Sequence, residues 1–128
     1  MRTGALAAAV VILLAASDCK DANKPNPTLD GHWTGGYHVQ MSGDYVTVAL
    51  DLTQSDTSIS GSALWGTATL QVHGTYRYPG VSLTFPWPAV TGFGSSYFAG
   101  SLENANTMTG DLSGGPFWGS VPATFMRR

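Results

Sequence analysis

The chain has 128 residues, a formal net charge of −2 and only 11% charged residues. This length accommodates a single domain, and the absence of a basic run argues against a nucleic-acid partner. The polar residues are mainly Thr, Ser and Gly rather than Lys and Glu, which favours an exported all-β protein over a helical cytosolic one.

The chain begins with an apolar segment at residues 4–16. It is too short to span a membrane comfortably and is typical of the core of a signal peptide. Two processing routes are open: cleavage after Ser17, or lipidation of Cys19. The segment 14–19 resembles a bacterial lipobox in position, although aspartate replaces the small residue usually found before the cysteine. A lone cysteine cannot form an internal disulfide, which favours lipidation somewhat.

We therefore expect a signal peptide at residues 1–18 and a location outside the cytoplasm, either secreted or anchored to the bacterial cell envelope through Cys19. Any membrane association would come only from that anchor. Residues 19–29 contain Pro25 and Pro27 and few apolar side chains, so they are predicted to be a flexible tether. Residues 30–128 are predicted to be one domain.

Along this domain, short stretches in which apolar and polar residues alternate are separated by turn residues. In residues 70–78, for example, Leu70, Val72 and Tyr76 share one face of an extended strand, while the polar residues share the other. The pattern predicts eight strands, at Asp30–Gln40, Tyr45–Gln54, Ser58–Trp65, Leu70–Tyr78, Val81–Phe85, Ser96–Glu103, Thr107–Ser113 and Phe117–Met126. With no segment of helical length, this indicates an antiparallel up-and-down meander closed into an eight-stranded barrel. A β-sandwich is the alternative.

A glycine flanked two residues away by apolar or small residues recurs within these strands. The copies are centred on Gly35, Gly61, Gly74, Gly100, Gly110 and Gly119. Because glycine inside a strand costs stability, a repeated one needs a geometric reason. Curvature of a closing sheet is the favoured reason, and a generally glycine-rich β protein is the alternative.

Gly31-His32-Trp33, at the start of the first predicted strand, resembles the Gly-x-Trp signature of the calycin barrels, which include lipocalins and avidins. In lipocalins a basic residue near the end of the last strand packs across that tryptophan, and Arg127 is the candidate here. The resemblance implies a meander barrel whose cavity takes a small, largely apolar ligand. The mid-chain lipocalin motif and the polar residues with which avidins hold biotin have no match in this chain.

No catalytic or metal-binding arrangement is found in the sequence. His32 and His38 lie six residues apart on one face of a strand, roughly 20 Å at the usual rise per residue, which is too far for one metal ion. No pair of acids lies on an inward face, and there is no Gly-x-Ser-x-Gly motif. We therefore expect a non-enzyme without a metal or cofactor.

Binding is the remaining expectation, and two hypotheses are open. In the first, the protein carries a small hydrophobic ligand in the barrel interior and mouth, contacted by Trp33, Tyr37, Trp65, Tyr76, Phe85, Trp87, Phe93 and Phe98. Residues 87–94 would then form a lid with Phe93 as its plug. In the second, it is a protein-protein interaction module of the cell envelope, such as a hydrolase inhibitor, which uses Trp118, Phe93 and Tyr97. A purely structural role in the envelope is a further alternative.

Overall fold

A computed structural model describes residues 25–128. The predicted signal peptide and the predicted lipidation at Cys19 lie outside the described residues. Eight β-strands and one short 3₁₀ helix make up the described part. The strands are β1 (Gly31–His38), β2 (Tyr45–Ser55), β3 (Ser58–Trp65), β4 (Ala68–Arg77), β5 (Gly80–Pro86), β6 (Ser95–Asn104), β7 (Thr107–Gly114) and β8 (Ser120–Arg127), and the helix (Ala89–Thr91) lies between β5 and β6.

The strands form a closed barrel in sequence order, and every neighbouring pair is antiparallel. The barrel is closed by pairing of β1 with β8, from Trp33 opposite Arg127 to Gly36 opposite Thr124. This confirms the predicted all-β up-and-down barrel, and the sandwich alternative is wrong. Closure leaves the sheet without the free edge strands of an open sheet.

The ladder between β1 and β8 is short for a chemical reason. Arg128 donates its backbone N–H to the carbonyl of His32. In an antiparallel pair such hydrogen-bonded positions recur at every second residue, so the even-numbered residues of β1 and β8 form the hydrogen bonds of this ladder. After the pair of Gly36 and Thr124, the next hydrogen-bonded position of the ladder would pair His38 with Pro122. Proline has no N–H to donate, so the regular ladder ends there.

The predicted strands agree with the observed ones in number and order, and most bounds differ by one or two residues. The largest difference is in β8, which begins at Ser120 rather than at Phe117. Gly119 has a φ of 78°, a left-handed turn conformation that ends the loop before the strand. Gly119 therefore belongs to a turn and is not a copy of the strand-interior pattern.

At the other five copies the glycine is required by the close approach of a neighbouring strand. A β-carbon at Gly74 would collide with the carbonyl oxygen of Ser82 in β5, and equivalent collisions with a backbone carbonyl would occur at Gly35, Gly61, Gly100 and Gly110. The repeated glycine thus lets adjacent backbones cross more closely than a side chain permits, as a strongly bent sheet needs.

The barrel has two ends, which we call the base and the rim. The base holds the β2–β3, β4–β5 and β6–β7 turns, and residues 25–30 and Arg127 also lie there. The rim holds the loops at residues 39–44, 66–67, 87–94 and 115–119, which join β1–β2, β3–β4, β5–β6 and β7–β8. Within the described part of the chain, no helix is long and apolar enough to cross a membrane.

The base is closed by Trp33 and the groups around it. The fully buried indole of Trp33 donates to the carbonyl of Leu29 over 3.0 Å, and the guanidinium of Arg127 lies 4.3 Å from the centre of its ring. The predicted packing of Arg127 across Trp33 is thereby confirmed. Arg127 also donates to the carbonyls of Thr28, Asp30 and Ala105.

Residues 27–29, which the sequence placed in the tether, pack against this base. Leu29 is fully buried in the core, and the carbonyl of Pro27 accepts a hydrogen bond from the Tyr76 hydroxyl. The barrel core therefore includes Leu29, which precedes β1.

Candidate functional site

Most of the side chains predicted to contact a ligand lie in the interior of the barrel. Six of the eight are buried in one continuous core, namely Trp33, Tyr37, Trp65, Tyr76, Phe85 and Phe98. Trp87 is partly buried against that core, and Phe93 is 44% exposed in the loop before β6. An eight-stranded barrel is either just filled by its own side chains or holds one small ligand. In this structure, aromatic side chains fill the upper interior.

Below the rim, aromatic rings pack edge to face across the barrel. Trp65 lies at their centre, with ring centres 5.7 Å from Tyr37, 5.1 Å from Phe85 and 5.2 Å from Trp87. Phe117 from the last rim loop packs on Tyr37 at 4.9 Å. Edge-to-face pairs contribute about 0.5–1.5 kcal/mol each beyond their burial. These rings close the barrel mouth from inside.

Two hydrogen bonds, one buried and one partly buried, fix these rings. The Trp65 indole N–H donates to the Tyr37 hydroxyl over 2.8 Å. Burial raises the pKa of that hydroxyl, and the hydrogen bond from Trp65 opposes part of the increase. The indole of Trp87 donates over 2.8 Å to the hydroxyl of Ser96, the one fully buried polar side chain among the described residues. Alternation along β6 places Ser96 on the same face as Phe98, and this was the available sequence signal for its burial.

The loop predicted as a lid packs on this cluster. Phe93 lies edge-on to Trp87 at 5.5 Å, and the Trp87 backbone N–H donates to the Gly94 carbonyl over 2.8 Å. Gly92 and Gly94, on either side of Phe93, have φ values of 73° and 75°. Phe93, the predicted plug, thus covers the ring of Trp87 at the rim.

A small pocket opens at the rim beside the aromatic cluster. It has a volume of about 180 Å³ and is lined by Tyr37, Val39, Gln40, Pro116 and Phe117. Two shallower depressions, of about 300 and 210 Å³, lie elsewhere on the outer wall of the barrel. The rim pocket is more enclosed than either depression, and two of its lining residues connect it to Trp118: Phe117 precedes Trp118 in the chain, and Gln40 is hydrogen-bonded to the Trp118 backbone.

Exposed apolar side chains are concentrated at the rim. Of the nine large hydrophobic side chains exposed in residues 25–128, two, Tyr78 and Met126, lie at the base. The other seven lie in the rim loops or within three residues of the rim ends of strands, and they are Met41, Tyr45, Leu64, Val90, Phe93, Tyr97 and Trp118. Exposed apolar side chains that are concentrated at one end of a barrel make that end the candidate interaction surface.

The backbone of Trp118, in the loop before β8, is held by the side chain of Gln40, in the loop after β1. The Gln40 amide donates to the Trp118 carbonyl over 2.6 Å, and its oxygen accepts from the Trp118 N–H at 3.0 Å. The Gln40 amide therefore makes the pair of hydrogen bonds that a neighbouring strand would make. The indole of Trp118 remains 74% exposed. No local sequence pattern indicates the role of Gln40, because its partner lies 78 residues away.

The rim has almost no formal charge. The three arginines of the described residues, Arg77, Arg127 and Arg128, lie at the base end. In the rim loops of the described chain, Asp44 is the only carboxylate. His38, at the rim end of β1, has its Nδ1 3.0 Å from the carbonyl of Gly43.

The histidines and acids are dispersed over the surface. The Nδ1 atom of His32 lies 3.5 Å from Oδ1 of Asp51, and both side chains are exposed. No group of three or more His, Cys, Asp or Glu side chains that could hold a metal ion occurs among residues 25–128.

Comparison of the chain with protein-family models, with curated proteins and with solved structures gave no match. The residues and their geometry are therefore the basis for the function proposed below.

Proposed function

We propose that this protein is an interaction module outside the cytoplasm that binds a partner protein through the rim of its barrel. The observation that carries the proposal is the contrast between a filled interior and an exposed apolar rim. Trp118, the largest of the exposed side chains, is also the residue type most enriched among interface hot spots. The proposal requires no catalytic residue, metal or cofactor.

The position of the N-terminal segment supports this use of the rim. Residues 25–30 lie at the base, opposite the rim, and only five residues separate Cys19 from Pro25. If Cys19 carries a lipid, the base is the tethered end of the barrel and the rim is free to meet a partner. In a secreted form the rim is equally accessible.

We also propose that the barrel is calycin-like, and the stacking of Arg127 on Trp33 at the base supports this. Calycin-like architecture would suit a carrier of a small hydrophobic ligand, which is the alternative function. The rim pocket of about 180 Å³ is smaller than the roughly 300–1,000 Å³ of typical small-molecule sites. A carrier would need the ring cluster around Trp65 to move aside.

Site-directed photo-crosslinking in the natural host tests the rim proposal. A photoreactive amino acid at position 118 should form a specific crosslink to a partner protein. The matched control has the same amino acid at position 126, which is exposed at the base. We expect the crosslink at position 118 and none at position 126, because the partner contacts the rim.

Equal crosslinking at both positions, or none at either, would contradict the rim proposal. Native mass spectrometry of the protein purified from the host then addresses the alternative. A reproducible small-molecule adduct that is lost on denaturation would support the carrier instead.

A further inference from the structure

We infer that Trp118 and the adjacent rim pocket form a knob and a hole, and that the hole takes one uncharged apolar side chain of the partner protein. The inference rests on the proposed function, which it makes more specific. The knob is the exposed indole of Trp118, and the hole is the pocket lined by Tyr37, Val39, Gln40, Pro116 and Phe117. Both are built on the same pair of rim loops, at residues 39–44 and 115–119.

The size and lining of the hole select its occupant. Its volume of about 180 Å³ suits a single large side chain better than a drug-sized ligand. Four of its five lining residues present apolar surface, and the Gln40 amide already bonds both backbone groups of Trp118. A charged group entering the hole would lose its hydration without finding an ionic partner. An aliphatic or phenyl side chain entering the hole would instead be removed from water, which is favourable for apolar surface.

The knob is held in place before binding. Gln40 fixes the backbone of Trp118 on both its N–H and its C=O, although the indole itself is 74% exposed. An anchor whose backbone is already ordered loses less conformational entropy when it binds. Gln40 is therefore a positioning residue, and it joins the wall of the hole to the knob.

Charge complementarity narrows the partner further. The rim loops carry one carboxylate, Asp44, and no lysine or arginine. An acidic or strongly basic partner surface would find no matching set of charges here, whereas a neutral, apolar segment matches both the hole and the surrounding side chains. The partner segment is therefore a neutral stretch of protein with one protruding aliphatic or aromatic side chain.

N-acetyl-L-leucinamide is a suitable probe of the hole, and N-acetyl-L-glutamic acid amide is its charged counterpart. We expect the leucine probe to cause saturable NMR shifts of the Gln40 side-chain amide and the Trp118 indole N–H. The glutamate probe should cause none at the same concentration. Shifts of equal size with both probes would overturn the apolar selectivity, and absence of saturable shifts would overturn the hole.

Val39→Trp, which fills the hole, tests the location. We expect probe affinity to fall at least about tenfold, equivalent to about 1.4 kcal/mol. The matched control is Val90→Trp, which adds the same side chain at a 93% exposed position in another rim loop and should leave affinity unchanged. Val39→Leu is a smaller change that serves if the tryptophan variant fails to fold, and it should give an intermediate loss of probe affinity. Unchanged affinity in a folded Val39 variant would overturn the inference.

The crosslinking experiment separates this inference from the proposed function. A partner crosslinked at position 118 in a protein that does not bind the leucine probe would refute the hole and leave the rim function intact. Absence of a rim crosslink would instead refute the proposed function.

Discussion

Trp33 shows how one residue can organise an end of the barrel. Its ring is fully buried, its indole N–H is bonded to Leu29, and its face is covered by Arg127. The sequence marked this tryptophan through its place after Gly31-His32. The roles of Leu29 and of the carbonyls bound by Arg127 depend on segments far apart in the chain, so no local pattern indicates them.

At this scale we predict that Trp33→Ala lowers the free energy of unfolding by about 3–5 kcal/mol. The substitution leaves a cavity below Arg127 and an unpaired carbonyl at Leu29. Urea denaturation measures the loss, with Trp118→Ala as the control, which should change stability by less than about 0.5 kcal/mol because Trp118 is exposed. Similar losses in the two variants would show that Trp33 does not support the base as described.

Tyr37 should make the fold sensitive to alkali. Its pKa is raised above the ordinary value of 10.0 by burial, so the folded protein holds this proton more tightly than the unfolded chain does. The stabilisation is complete below pH 10 and is lost as the pH rises through the raised pKa. We expect the unfolding free energy to fall as the pH rises above 10, and to fall less steeply in Tyr37→Phe. Denaturant titrations at several pH values measure both slopes, and equal slopes would contradict this prediction.

At the scale of strands and turns, the glycines explain how eight short strands close into a barrel. The recurrence of glycine on the inward face predicted curvature. The structure adds that five of these positions have a carbonyl of the next strand where a β-carbon would lie. It also separates Gly119, which belongs to a turn with φ of 78°, from the strand positions. A sequence repeat does not distinguish these two uses of glycine.

We therefore predict that Gly74→Ala destabilises the barrel by about 1–3 kcal/mol, the usual range for overpacking. The added methyl group would collide with the backbone carbonyl of Ser82, which cannot move without disturbing the β4–β5 ladder. Thr75→Ala, at the neighbouring exposed position, serves as the control and should cost less. Thermal unfolding of both variants is the measurement. A stability of Gly74→Ala equal to that of the wild type would show that the strands have room to separate.

At the scale of the whole molecule, the two ends of the barrel differ in charge and in exposed apolar surface. Among residues 25–128, the three arginines lie at the base, and most of the exposed large hydrophobic side chains lie at the rim. Trp118, Phe93 and Tyr97, the candidate interaction residues from the sequence, all lie at or near the rim. The hydrogen bonds between Gln40 and Trp118 have no local sequence signal, because they form only when the first and last rim loops meet beside the β1–β8 pair.

The sequence by itself determined the class and order of the elements. Alternation with a period of two is a local property of each strand, so the eight strands and their inward faces follow from nearest neighbours along the chain. Only the tertiary structure decided that aromatic rings fill the upper interior, that residues 27–29 complete the base, and that a small pocket opens beside Trp118. These features depend on strand register and on contacts between distant loops, because side chains far apart in sequence meet only after the barrel has closed.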